Sequence, residues 1–254
     1  MDGKDISLLH WAALNNRTEI ARVLLDRGVV VDQQGGLTGG SPLHWAAHSD
    51  SLAVLALLVR RAARLDLQDR EGCLPLHVAA GRGSTRSLVY LVARGQHVDS
   101  VDSEGRTPLM IALAKSDNLA TVSILVRLGA NIACIDRQHN NPLHWAVLSG
   151  KTKIVVGLIN ISQEDFCQQR IRWEDPNSEG HSALDILNRQ KRCVLASLPG
   201  TVKHYIRRDI LLRKSNNAIR EETTQGEIIS NLLDKSLEYS IQPHQIIMLN
   251  LSLQ

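Results

Sequence analysis

Leu8-Leu9-His10-Trp11-Ala12-Ala13 opens a phrase that recurs as Pro42-Leu43-His44-Trp45-Ala46-Ala47, Pro75-Leu76-His77-Val78-Ala79-Ala80, Pro108-Leu109-Met110-Ile111-Ala112 and Pro142-Leu143-His144-Trp145-Ala146. The starts lie 33 or 34 residues apart. A unit of that length cannot bury its apolar face alone, so the period implies stacked neighbours with a core running between them. Each unit reads as a β-turn, a short helix opened by the phrase, a second helix and a loop. Proline suits the first helical position because its missing N–H would be unpaired there anyway. The Ala-Ala pair, as at Ala79-Ala80, lets helices of adjacent units approach, and larger residues there are expected to push the stack apart. In the second helices, Val54, Leu57 and Leu58, then Leu88, Leu91 and Val92, then Val122, Leu125 and Val126 fall three and four apart on one buried stripe. Ile20, Val23, Leu24 and Leu25 repeat the pattern in the first unit.

This period and wording resemble the ankyrin signature. The resemblance implies an all-α repeat solenoid, with a β-turn and two antiparallel helices per repeat, in a protein that recognises other proteins rather than doing chemistry. Five regular repeats run from about Asp5 to Ile161, and a degenerate sixth surrounds Ser182-Ala183-Leu184-Asp185-Ile186-Leu187. The expected division is an ankyrin-repeat domain over 5–195 and a tail of uncertain order over 196–254. Gly28 and Gly95 are expected to close their helices in the left-handed conformation, where a residue lacking Cβ costs little. Ala62 and Ser162 stand where that glycine belongs, so those ends are expected to be strained or rebuilt. Gly72, Gly105 and Gly180 read as turn glycines, with His139 in the equivalent place. The connection Asn160 to Glu179 is longer than usual and carries Trp173, which either covers the sixth repeat or sits in a mobile loop. The first helix begins within ten residues of Met1, so its outer side has no neighbour to bury it, and a missing upstream repeat or another protein is implied.

A net charge of +3, evenly spread through the repeats, gives no argument for a nucleic-acid partner. Cys73, Cys134, Cys167 and Cys193 form no Cys-x-x-Cys pair, and no secretory signal opens the chain, so they read as reduced thiols of a cytoplasmic protein. The richest apolar stretches, Ile154 to Ile161 and Ile246 to Leu253, are about half a membrane span, so no membrane span is expected. Past Pro199-Gly200 the period vanishes, and Lys203, Arg207, Arg208, Arg213 and Lys214 precede a polar stretch that reads as a linker or frayed helix.

His10, His44, His77 and His144 invite a metal reading. Helices of a stack lie roughly 8 to 10 Å apart, whereas zinc ligands converge to about 2 Å of one ion. Hydrogen bonds from these rings to neighbouring turn backbone are therefore expected, with no metal or cofactor. No phosphate loop, activated nucleophile or paired-carboxylate motif stands out, and no enzymatic activity is expected of the chain.

Trp11, Trp45 and Trp145 follow the signature histidine and project from one edge of the first-helix layer, the edge that lines the concave groove of ankyrin stacks. Trp11 and Trp45 belong to successive repeats, and two indoles about one repeat apart can clasp a proline ring or aliphatic side chain. Asn15, four residues after Trp11 on the same face, can hydrogen-bond the backbone of an extended peptide. The competing reading has the indoles packed on their own β-turns, and that is the expectation for Trp145. Arg82 and Lys115 take the place of Asn15 in later repeats and would make the far groove basic, with solvated charge as their ordinary role.

Several phrases together resemble a narrower group: Leu14-Asn15-Asn16-Arg17 after the first signature, Val31-Asp32-Gln33-Gln34-Gly35-Gly36, Glu71-Gly72-Cys73, Gly95-Gln96-His97-Val98-Asp99 and Leu143-His144-Trp145-Ala146-Val147-Leu148. In this order they are similar to the ankyrin domain of the huntingtin-interacting palmitoyltransferases, over roughly 5–195. That resemblance implies client recruitment through a motif ending in Gln-Pro, of the form aliphatic-x-x-Gln-Pro, at the cytosolic face of Golgi and vesicle membranes. It places the tryptophan that packs on the motif proline at Trp45 and its supporting asparagine at Asn15. The family's transmembrane helices and Asp-His-His-Cys segment have no counterpart here, and Ile111 stands where the family tends to carry tryptophan. The chain then reads either as the recruiting module of a protein S-acyltransferase or as a stand-alone cytosolic ankyrin adaptor. A scaffold working through its convex side or basic tail has little positive support. Client identity and oligomeric state are not fixed by the sequence.

Overall fold

The structure, a computed structural model, describes residues 6–162 and 172–189; the tail 196–254, Cys167 and Cys193 lie outside the described residues. Helices come in antiparallel pairs: α1 (Leu8–Leu14) with α2 (Thr18–Asp26), α3 (Pro42–His48) with α4 (Leu52–Arg60), α5 (Pro75–Arg82) with α6 (Thr85–Ala93), α7 (Pro108–Lys115) with α8 (Leu119–Arg127), α9 (Pro142–Leu148) with α10 (Thr152–Ser162), and finally α11 (Ala183–Arg189). First helices stack on first helices and second on second, so this is an all-α repeat solenoid. Among the described residues, β-pairing is limited to isolated bridges such as Gly35 to Gly40.

The sequence dictates this locally. Proline opens α3, α5, α7 and α9, and before α7 and α9 the cap side chain supplies an acceptor: Thr107 Oγ1 accepts from Met110 N and Asn141 Oδ1 from His144 N. Leu9, Leu43, Leu76 and Leu109, one per repeat, are fully buried, as are Ala46, Ala47, Ala79 and Ala80. Leu113 and Val147 occupy the second alanine position in later repeats and are also fully buried, so that position accommodates larger side chains inside the stack. In the same fourth repeat the link after α7 lacks the left-handed residue of its counterparts, Ser116 being extended at φ −80° and ψ 144°.

Hairpin fingers between the helix pairs bond to one another through backbone: Arg70 N to Thr38 O at 2.9 Å, Ser103 N to Glu71 O at 3.1 Å, Arg137 N to Glu104 O at 3.0 Å and Ser178 N to Gln138 O at 2.9 Å. Within three fingers one carboxylate organises the turn. Asp69 Oδ1 accepts from Glu71 N and Cys73 N, Asp102 Oδ1 from Glu104 N and Arg106 N, and Asp136 Oδ1 from Gln138 N and Asn140 N. Asn177 does the same for Glu179 and His181. The first finger has Gly36 at this position.

The four signature histidines connect helix to finger, as expected. Nδ1 accepts the N–H of the residue three before it, at 3.1 to 3.2 Å. Nε2 of His10 reaches Gly40 O at 3.1 Å, that of His44 Cys73 O at 3.0 Å, that of His77 Ser100 O and Arg106 O, and that of His144 His181 O at 3.2 Å. An N–H aimed at Nδ1 and a carbonyl at Nε2 select the neutral Nε2–H tautomer. Burial holds all four rings below the ordinary histidine range.

Gly28 and Gly95 adopt φ +80° and +101°. Ala62 is forced to φ +62° at its helix end, while α10 continues through Ser162, so one glycine-less end is strained and the other rebuilt. His139 sits at φ +59° in the place of the turn glycines. Trp173 is fully buried and its carbonyl accepts from Leu184 N, which settles it as a cover for the sixth repeat. At the other end of the stack, Ile20 and Val23 are 54% and 51% exposed, whereas Val54 and Leu57 at the same positions of the second repeat are 0% and 5%.

Candidate functional site

Three first helices, α3, α5 and α7, present Trp45, Val78 and Ile111 at one register position, and these line an open groove of about 670 Å³ bounded on the other side by the fingers. A gap in side-chain volume lets the wall close up at one point. A Cβ on Gly81 would stand 2.9 Å from Ile111 Cγ2, so α5 approaches α7 there only as glycine. Finger residues Leu37, Thr38, Asp69 and Glu71 form the opposite wall.

Trp45 is half-buried. Its ring meets the His10 ring edge-on at 5.3 Å and the Trp11 ring edge-on at 6.2 Å. Such T-shaped contacts fix both indoles while leaving ring surface uncovered. Trp11 is 51% exposed. Asn15 is exposed and its Nδ2 donates to Trp11 O at 2.9 Å, which leaves Oδ1 as an outward acceptor. The structure therefore brings Trp11 and Trp45 together and ties Asn15 to the same helix turn. Leu14, and not Asn15, lines the groove itself at that point.

Trp45 and Trp145 occupy the same position but are bound differently. Trp145 Nε1 donates to Asp136 Oδ2 at 3.0 Å, so that indole is fastened to its own finger, as the sequence suggests. Nine residues before Trp45 the corresponding residue is Gly36, whose added Cβ would lie 3.1 Å from Trp45 Cζ2. The ring lies over the bare glycine backbone, and among the described residues no acceptor takes its N–H. Sequence reasoning passed over Gly36. The signal was there: a glycine at the register of Asp69, Asp102 and Asp136.

Burial and nearby carboxylates push the Cys73 thiol up to about 12, far from a reactive thiolate. Among the described residues no cluster of metal-ligating side chains occurs, and no helix is long and apolar enough to cross a membrane.

The family described as ankyrin repeats (3 copies) matches residues 1–70, 54–136 and 76–170. The chain is 46% identical over 178 residues to palmitoyltransferase Hip14 of Drosophila melanogaster, covering 70% of this chain and 28% of that protein. It is 42% identical over 191 residues to human palmitoyltransferase ZDHHC17, covering 75% and 29%. It is 35% identical over 198 residues to mouse palmitoyltransferase ZDHHC13, covering 78% and 30%. The chain thus spans less than a third of the length of these relatives.

Proposed function

Because the chain belongs to the ankyrin-repeat family, and is a protein-interaction domain on that ground, we propose that its groove binds an extended client segment of the form aliphatic-x-x-Gln-Pro. Trp45 packs on the proline, Trp11 closes the other side of the ring, and Asn15 Oδ1 accepts a hydrogen bond from the segment. The observation that carries this reading is the open, unfastened indole of Trp45 over Gly36, against the fastened indole of Trp145. A flat apolar surface with one free N–H suits a half-buried contact that must bind and release. The histidines, by contrast, have both ring nitrogens occupied.

In this reading the module recruits clients for S-acylation at the cytosolic face of Golgi or vesicle membranes, a role supported by its similarity to relatives named palmitoyltransferase. These 254 residues contain no Asp-His-His-Cys segment, so in this reading they contribute recruitment and not acyl transfer. The second reading, a stand-alone cytoplasmic adaptor for the same clients, uses the same groove. Calorimetry with the motif peptide tests the shared claim. Binding that falls at least tenfold when the peptide proline becomes alanine supports it; equal affinity for both peptides refutes it. In excess, either kind of module reduces client acylation by a palmitoyltransferase relative, so the roles are told apart by sequencing the transcript across both ends of this reading frame: continuation into membrane helices and an Asp-His-His-Cys segment supports the recruiting module, and a stop after Gln254 supports the adaptor.

A further inference from the structure

The last turn of a first helix carries a basic residue in three consecutive repeats: His48 in α3, Arg82 in α5 and Lys115 in α7. All three line the groove next to Trp45 and Val78. Basic residues at helix C-termini commonly answer the helix dipole. That account fits poorly here, because α1 and α9 have the same dipole and no basic residue in the last turn.

Pairing sets these cations apart. Around them Arg86 binds Asp50 at 2.8 Å, Arg106 binds Asp102 at 2.7 Å and Lys151 binds Asp117 at 2.9 Å. The Arg82 and Lys115 side chains form no ion pair or hydrogen bond among the described residues. The carboxylates of the facing wall form no ion pair with either cation: Asp69 Oδ1 accepts from its own turn and Glu71 lies 3.9 Å from Arg106. Burial and the charge of Arg82 hold His48 below its usual range, so the free positive charge belongs to Arg82 and Lys115. The groove therefore has an apolar floor of Trp45, Val78 and Ile111 and a rim of two unpaired cations, Arg82 and Lys115, across from Asp69 and Glu71.

Resting on the groove reading above, we propose that the client segment also carries acidic side chains, about three and about six residues from the one seated on Trp45. The spacing follows from geometry. Successive helices lie about 10 Å apart and an extended chain advances about 3.3 Å per residue, so one repeat corresponds to about three residues. Arg82 is one repeat beyond Trp45 and Lys115 two. A Pro-containing segment in the extended, three-residue-per-turn conformation carries its third and sixth side chains on one face with the anchored residue, which brings both within reach of the long Arg82 and Lys115 side chains at the groove edge. The charge pairs act at the exposed edge, so they select among motif-bearing clients rather than supply the anchor.

The test uses the full chain and peptides sharing one aliphatic-x-x-Gln-Pro core, with Glu, Gln or Lys at the third and sixth positions, placed on either side of the proline where the core allows. On one side, the Glu peptide is expected to bind about five- to tenfold more tightly than the Lys peptide, with Gln between. In the double variant R82Q/K115Q that spread collapses, and about 0.5 M salt shrinks it in the parent. A spread below twofold on both sides, or one that persists in the double variant, overturns the proposal. Failure of this inference is distinct from failure of the groove reading. A Gln peptide that binds in a Trp45-dependent way without charge preference leaves the groove reading standing; no binding by any peptide overturns both.

Discussion

Gly36 lies directly under the Trp45 indole, where an added Cβ would stand 3.1 Å from Cζ2. In the third, fourth and fifth repeats the same position is Asp69, Asp102 and Asp136, and Asp136 binds Trp145 Nε1. One residue type thus decides whether a groove tryptophan is fastened to its finger or left available.

Gly36→Ala is expected to displace the Trp45 ring. The backbone at φ +77° adds a strain of about 1 kcal/mol for a residue with Cβ. Calorimetry with the motif peptide, beside urea unfolding, should show a loss of affinity larger than the loss of stability. A variant that unfolds about 1 kcal/mol more easily but binds as before would show that the glycine serves only its turn.

Ala62→Gly should stabilise the protein by about 1 kcal/mol, because alanine at φ +62° carries a left-handed penalty that glycine avoids. Ala62 is exposed, so no packing is lost. An unchanged or lowered urea midpoint would contradict the assignment of strain to this helix end.

Truncation of equivalent residues should separate the two ends of the stack. Val54→Ala, at a fully buried position, is expected to cost about 1 to 3 kcal/mol, whereas Ile20→Ala, 54% exposed, should cost under about 1 kcal/mol in this chain. Equal costs would mean that the first helix pair buries its stripe in solution by self-association, which a concentration-dependent midpoint would reveal.

Stability should depend on pH through His10, His44, His77 and His144. Burial lowers each below the ordinary histidine value of about 6.5 that the unfolded chain retains, so between the folded value and about 6.5 the unfolded state binds more protons. Stability is then fully present above about pH 6.5 and is lost as pH falls through the window beneath it. Urea midpoints from pH 8 to pH 5 check this. His44→Gln should flatten the slope while lowering stability throughout, and a slope unchanged by the substitution would exclude His44 as a contributor.

Much of the fold was legible because a repeat states each local choice several times. The periods of His44, His77 and His144 predicted their bonds to the next finger, and Trp145 was correctly read as fastened to its own turn. Trp173 stayed open between two readings because its burial depends on a long connection with no repeat to calibrate it. The second alanine position was legible as a packing position but not in its size, which at Leu113 and Val147 depends on the neighbour's volume as well as the residue's own. At the groove, the pairing of Trp11 and Trp45 followed from spacing, but the part played by Gly36 did not, since it is defined by a side chain that is absent. The isolation of Arg82 and Lys115 was equally invisible, because pairing is settled by which carboxylates their turns already occupy.

The most direct test of the groove compares two indoles in the same position of the repeat. Affinity for an aliphatic-x-x-Gln-Pro peptide is measured by calorimetry for the parent, Trp45→Ala and Trp145→Ala, with circular dichroism confirming that each is folded. Removing a binding anchor costs on the order of 2 kcal/mol or more, about thirtyfold in affinity. The account predicts that loss for Trp45→Ala and less than about threefold for Trp145→Ala. Unchanged binding by folded Trp45→Ala, or no binding by the parent, would contradict it.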